Sequence, residues 1–329
     1  MKSSMILYLL VSVQVVLAAP GKIDELTVEQ LAAMADRTLV VELPTMEEWY
    51  ADLPPTALQD TLRARYLTAH RSYLENIEEA VRTSWKFNTK VEFKTRAECF
   101  ELMDKKSTDH VLLMKGELWG AGAIACSESS FSTEVLILQR AEASNGRNKK
   151  GEMEIHLADR YMLLAGEYHR EDKRGYRTTT TYHKSDLAFT LRQFQRYIAW
   201  SLAEKTLGGY REYVREQVDR NCGRMKDFGL VAQQDNFMGN ATLESCMASY
   251  TGKLRFASHE EIGALYTAGD AAEAVVFILP FGSLEDGRMS FIKVVVDPST
   301  DDLLEGHRIA KVAGSQGPGF AEVDFKSMS

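Results

Sequence analysis

The sequence predicts an α/β (or α+β) protein with two pseudo-repeated β-α-β-α-β lobes, each with an added hairpin strand, joined by an αα-hairpin. Residues 90–114 align without a gap on residues 253–277, at an offset of 163 (253 minus 90). In both segments an alternating strand runs through Thr95 or Ser258 into an amphipathic helix, and an apolar strand follows. Only four of these 25 aligned positions are identical, so the prediction rests on the order of the patterns.

Each aligned segment has a similar prelude and a similar sequel. An apolar run at 38–43 and a helical pattern at 56–84 precede the first, and a strand at 228–233 and a helix at 242–250 precede the second. Further apolar runs at 133–140 and 290–297 predict the hairpin strands. Units of this kind favour parallel pairing through right-handed crossovers. Near the start, Thr27 and Gln30 predict a capping box for a helix over 27–36.

The region between the two units has a different pattern. Residues 151–169 predict one or two strands, and residues 177–184 a strand or a loop. Ser185-Asp186 is expected to cap a helix that Gly208-Gly209 ends, with a second helix over 210–226. The predicted ranges are a first lobe at 20–142, a connector at 143–226 and a second lobe at 227–329. Residues 315–319 and the last few residues are expected to be loose.

The N-terminus predicts export. Met1 and Lys2 precede an apolar stretch from Met5 to Leu17, and small residues follow at Ala18 and Ala19. This pattern is typical of a cleavable signal peptide over residues 1–19. The stretch is shorter than the roughly 20 residues that a membrane span needs. The expected location is therefore secreted or periplasmic, with no transmembrane segment.

Composition limits the classes of partner. The chain has 329 residues, 45% of them hydrophobic, and a formal net charge of −8. This balance is typical of a globular protein and argues against a nucleic-acid partner. The basic stretch 140–177 contains acidic residues as well, so we interpret it as a solvated loop. A small ligand or an envelope protein stays open as the partner.

The cysteines carry no motif. Cys99, Cys126, Cys222 and Cys246 are widely spaced, which supports neither a zinc ribbon nor a redox CxxC site. In an oxidising compartment they could form two disulfides, while Cys99 and Cys246 also fit buried free thiols on helices. Whether they pair is left open.

Several patterns suggest sites, each with a structural explanation beside it. Glu152, Glu154 and His156 alternate along a predicted strand, so a metal could bind them with Asp159 or His169, but a solvent-exposed face is the favoured interpretation. The acidic turn at 297–302 could bind calcium, yet a hairpin turn needs no ion. Five aromatic residues are favoured as core anchors over a binding cleft: Trp85, Phe87, Trp119, Tyr182 and Trp200.

Other motifs fail their context tests. The glycines at 116–122 do not lie between a strand and a helix, so a loop joining two strands is expected instead of a dinucleotide site. His259 aligns with Arg96, which does not support a shared catalytic role. Asn240-Ala241-Thr242 matches a glycosylation acceptor, which has meaning only in a eukaryotic secretory pathway. No catalytic, cofactor-binding or metal-ligating residue is therefore assigned.

Two resemblances accompany these patterns. The Ser84–Asn88 junction, the KVEFKT strand, the Ser185-Asp186-Leu187 helix start and Leu191-Arg192-Gln193 together resemble a group of secreted proteins of unknown function from Bacteroidota-type bacteria. Each unit looks like the small α/β domain of periplasmic envelope proteins of the TolB N-terminal type. These resemblances imply export and a fold, and neither implies an activity.

The leading functional hypothesis is a non-enzymatic periplasmic or cell-envelope binding or assembly protein, with a ligand or partner held between the lobes. It rests on the internal repeat and the export signal, together with the lack of a catalytic motif. The alternative is a secreted hydrolase with an unrecognised acid/His or metal site. Such an enzyme would bring acidic or histidine side chains together in one pocket.

Overall fold

The mixed α/β (or α+β) class is confirmed by the computed structural model, which describes residues 26–46, 48, 60–119, 132–143, 159–170, 177–269, 272–282, 289–306, 317 and 319–329. The helices are α1 (Val28–Ala33), α2 (Asp60–Ser84), α3 (Arg96–Asp104), α4 (Lys184–Ala203), α5 (Tyr210–Asn221), α6 (Leu243–Ser249), α7 (His259–Ala268) and α8 (Glu322–Met328). Short 3₁₀ helices lie at Met34–Asp36, Ala141–Ala143 and Cys222–Asp227.

The strands form two five-stranded sheets and one hairpin. The first sheet contains β1 (Thr38–Glu42), β2 (Val91–Lys94), β3 (His110–Trp119), β4 (Ser132–Arg140) and β5 (Arg160–Leu163), in the order β2-β1-β3-β4-β5. The second contains β8 (Gly229–Gln233), β9 (Leu254–Ala257), β10 (Glu273–Gly282), β11 (Met289–Val296) and β12 (Leu303–Gly306), in the order β9-β8-β10-β11-β12. Strands β6 (Glu167–Arg170) and β7 (Arg177–Thr181) pair only with each other.

The two sheets have the same pattern of strand pairing. In each, the first three strands are parallel and the last two are added antiparallel. Leu39 pairs with Val91 and Val111, and Leu230 pairs with Leu254 and Ala274. Both pairs of partners differ by 163 positions (254 minus 91, 274 minus 111). Agreement in strand pairing alone does not establish two pseudo-repeated lobes, so the repeat stays a prediction.

The sheets turn opposite faces to one shared core. Leu39 and Val41 of β1 lie in that core, while Val40 packs with α3 in a separate outer cluster. By register, Val40 corresponds to Val231 of β8. Val231 lies in the shared core, whereas Ala232 belongs to a second outer cluster. Because alternate side chains leave a strand on opposite sides, equivalent positions of the two sheets are buried against different neighbours.

Helix α4 fills the space between the sheets. Of its 20 residues, 12 are buried, and they lie against elements of both sheets. Phe189 stacks on Phe277 of β10 at 4.3 Å between ring centroids, and Trp85 meets Phe194 at 6.1 Å. The predicted αα-hairpin is present as α4 and α5. Side chains from both units fill the shared core.

Two features differ from the sequence predictions. Strand β5 lies within the range assigned to the connector, yet it pairs with β4 and completes the first sheet. The last residues are not loose, because α8 buries Phe325 and Met328 against the outer face of the second sheet. Two apolar residues three positions apart form too short a pattern to predict a helix. No helix in the described ranges combines the length and apolarity that a bilayer crossing needs.

Candidate metal centre

Three possible metal ligands meet where the connector touches the second sheet. Glu167 is the first residue of β6, His183 precedes α4, and His259 is the first residue of α7. One ligand atom of each lies within 4.8 Å of the other two. Within the described ranges, no other set of three or more His, Cys, Asp or Glu side chains lies close enough together to hold an ion.

Local sequence fixes the two helix starts. At α7, the Ser258 hydroxyl accepts from the Glu261 amide and the Glu261 carboxylate accepts from the Ser258 amide, which forms a capping box. At α4, the His183 amide donates to the Asp186 carboxylate at 3.1 Å. The N-cap is therefore His183 and not the predicted Ser185-Asp186 pair. Each histidine side chain thus leaves the backbone at the start of a fixed helix.

The two imidazole rings lie face to face. The rings of His183 and His259 are 3.5 Å apart between centroids and tilted by 14°. His183 Nε2 lies 3.6 Å from Glu167 Oε2, beyond hydrogen-bonding distance. The Nε2 atoms of both rings are buried and have no hydrogen-bond partner. Buried ring nitrogens normally have a hydrogen-bond partner, so the lack of one at both rings needs an explanation.

Their surroundings give the two rings different pKa values. Burial, followed by repulsion from His183, lowers the pKa of His259 to about 4. Burial also opposes the charge on His183, but Glu167 and Asp186 outweigh it and raise its pKa. The contact with His183 lowers the pKa of Glu167, and burial raises the pKa of Asp186 to about 6. His259 is therefore neutral at neutral pH, and His183 binds a proton more readily than the ring stacked on it.

The donor set suits a divalent ion of the zinc class, which binds imidazole nitrogen and carboxylate oxygen. Zn–N bonds of about 2.0–2.1 Å at tetrahedral angles place two nitrogens about 3.4 Å apart, and the centroids of these rings are 3.5 Å apart. The rings are nearly parallel, and each nitrogen lone pair lies in its ring plane, so the two lone pairs converge on one ion only after each ring tilts by roughly 55°. Glu167 and Asp186 offset the positive ends of α4 and α7.

A small cavity adjoins the centre. His259 and Asp186 line it together with Gly166, Gln233 and Asn236, and its volume is about 20 Å³. This is room for one water molecule with several polar neighbours. Gln233 ends β8, so the cavity lies at the carboxyl edge of the parallel strands, where open α/β sheets commonly bind ligands.

The residues suggested by sequence lie elsewhere. Glu152, Glu154 and His156 fall outside the described residues, as does the side chain of His169 in β6. Asp159 is engaged by Arg140, whose Nε lies 3.0 Å from Asp159 Oδ2. It is therefore unavailable as their partner.

The carboxylates of the acidic turn at 297–302 contact three arginines. Arg224 contacts Asp297 at 2.6 Å and Asp302 at 2.7 Å, and Arg192 lies 3.5 Å from Asp301. Arg196 contacts Asp302 as well. The turn thereby fastens the second sheet to α4, which agrees with the structural interpretation.

The described aromatic residues are core anchors. Tyr182 is fully buried, Trp85 nearly so, and Phe87 and Trp200 pack against the shared core. The side chain of Trp119 is outside the described part. Residues 116–119 continue β3 and do not form the predicted loop, because pairing with β4 extends to Trp119. A Cβ at Gly116 would collide with Ile137 of β4.

Cys99, Cys222 and Cys246 are free thiols, and Cys126 is outside the described residues. Burial raises the pKa of Cys99 to about 12 and that of Cys246 to about 11, so neither thiol ionises at neutral pH.

Sequence reasoning missed Glu167 and His183. The three ligands come from three separate segments and match no local spacing. The sequence patterns single out His259 only as the counterpart of Arg96, but the two positions lie in different surroundings. Arg96 starts α3, which packs on the outer face of the first sheet and pairs with Glu42, whereas α7 faces the shared core.

The comparisons with known proteins find no matching family model, no similar curated protein and no similar solved structure. The resemblances to secreted Bacteroidota-type proteins and to the TolB N-terminal type therefore stay predictions.

Proposed function

We propose that this protein is an exported, non-enzymatic metal-binding protein of the periplasm or cell envelope, which holds a divalent ion of the zinc class through Glu167, His183 and His259. The observation that carries the proposal is the close approach of the three ligand atoms, within 4.8 Å of one another, together with two buried ring nitrogens that have no hydrogen-bond partner. Export rests on the N-terminal sequence pattern.

The packing between the sheets favours an ion over an organic ligand. α4 and the shared core occupy this space, and the cavity at the centre holds about one water molecule. A sugar or peptide would need several hundred cubic ångströms. An ion needs only the three side chains, with the two stacked rings turned toward it.

A metal-dependent hydrolase is the second candidate, because three protein ligands leave a fourth position for water. The neighbouring cavity, lined by Asp186, is where such a water would lie. Zinc-loaded protein would then cleave p-nitrophenyl esters or bis(p-nitrophenyl) phosphate, and the Glu167→Gln variant would not. Binding of zinc without any such turnover favours the non-enzymatic proposal.

Titration of zinc into the metal-free mature chain, followed by calorimetry, tests the proposal. We expect one ion per chain, and roughly 100-fold weaker binding in each of Glu167→Gln, His183→Ala and His259→Ala, because each removes one ligand. His110→Ala is the matched control, since His110 contacts Ser107 away from the centre. Unchanged affinity in the three ligand variants would overturn the proposal.

A further inference from the structure

Resting on the proposed function, we infer that the bound ion also fastens α7 of the second sheet to the connector, so that metal occupancy controls how firmly the two units are joined. The three ligands come from three elements that share no strand pairing: the β6–β7 hairpin, the start of α4 and the start of α7. One ion would therefore join parts of the fold that are far apart in sequence.

The connector side of the centre is already anchored to the first unit. The Tyr182 amide donates to the Ser72 hydroxyl at 2.9 Å, and the Asn76 amide group donates to the Tyr182 carbonyl at 3.0 Å. The hydroxyl groups of Thr179 and Tyr182 donate to the Glu134 carboxylate. These bonds hold Thr179 and Tyr182, next to His183, against the first unit whether or not an ion is present, and the ion would add a contact to β6 through Glu167.

On the α7 side, Ile262 packs in the shared core, and the aromatic and cation contacts lie at the far end of the helix. There, Arg192 lies over the ring of Tyr266 at 4.8 Å, and Phe189 meets the same ring edge-on at 6.4 Å. At the near end, His259 stacks on His183, and its Nε2 has no partner. The capping box satisfies the backbone here, and an ion would supply a polar contact from the His259 ring to the connector.

Mass action sets the size of the effect. If opening of the α7 start requires release of the ion, free zinc at 100 times its dissociation constant slows amide exchange there by about 100-fold. An ion that binds without joining the elements would leave the exchange rates of α7 unchanged.

Hydrogen–deuterium exchange of the mature chain, with and without zinc, is the test. We expect slower exchange in the first turns of α7 and in β6–β7, and no change in β2 or α3 on the far side of the first unit. In Glu167→Gln at saturating zinc, α7 keeps its protection through the two histidines, while β6–β7 loses it. His110→Ala should behave as the unmodified chain does.

The outcomes separate the two proposals. Zinc binding measured by calorimetry without added protection of α7 overturns the inference and leaves the proposed function standing. Absence of zinc binding overturns both. Protection spread evenly over the described helices and strands also overturns the inference, because it would indicate a general gain in stability without a local join.

Discussion

Replacing Phe189 with alanine should lower the free energy of unfolding by about 3–5 kcal/mol, and in a single transition. Phe189 is fully buried in α4, stacks on Phe277 of β10 and contacts Tyr266 of α7. Truncating its ring leaves a cavity at the junction of the two units. Because residues of both sheets share this core, we expect the loss to affect the whole protein.

Urea unfolding followed by tryptophan fluorescence and by far-ultraviolet circular dichroism measures this effect. Coincident curves from both probes would support one cooperative unit. Phe189→Leu is the conservative control and should lose much less. Two separate unfolding transitions, of which only the second moves to a lower urea concentration, would instead support independent lobes within the predicted ranges 20–142 and 227–329.

Replacing Lys293 with methionine should cost a similar amount, about 3–5 kcal/mol, because it leaves a buried carboxylate without its cation. Lys293 and Asp324 are both fully buried, and Lys293 Nζ lies 3.6 Å from Asp324 Oδ1. The same ammonium group donates to the Gly317 carbonyl at 2.9 Å. The pair ties α8 to the outer face of the second sheet.

A double variant separates the charge from the packing. Adding Asp324→Asn to Lys293→Met removes the buried charge, and the asparagine oxygen can still accept from the Ala321 amide, so part of the stability should return. Lys326→Met is the matched control on the exposed side of α8 and should change stability by no more than about 0.5 kcal/mol. A loss of under about 1 kcal/mol in Lys293→Met would contradict this account of the pair.

Local patterns were sufficient to predict most elements of the fold. The capping residues Thr27, Thr95 and Ser258 each begin a helix as expected, and the alternating runs form the parallel strands. These features depend on neighbours within a few residues, which a single sequence displays. Strand β5 and helix α8 depend instead on residues that are distant in sequence. A short apolar run is therefore not enough to predict either element.

The same local patterns could not predict the candidate metal centre. Glu167, His183 and His259 come together only because the two sheets turn opposite faces to α4. Aligning Arg96 with His259 treats the two positions as equivalent. They match in strand register, but they have different neighbours in the folded protein. The spacing of residues within one segment does not indicate which face of a sheet will be buried.

The opposite orientation of the sheets also bears on what either unit would do alone. In a closed two-fold pair, both partners bury the same patch, but here Val41 and Ala232, at matching positions, lie in different cores. The contact is therefore of the head-to-tail kind, in which each partner presents a different surface. A fragment with one sheet would expose a patch without carrying its complement, so we expect it to associate irregularly instead of forming a closed dimer.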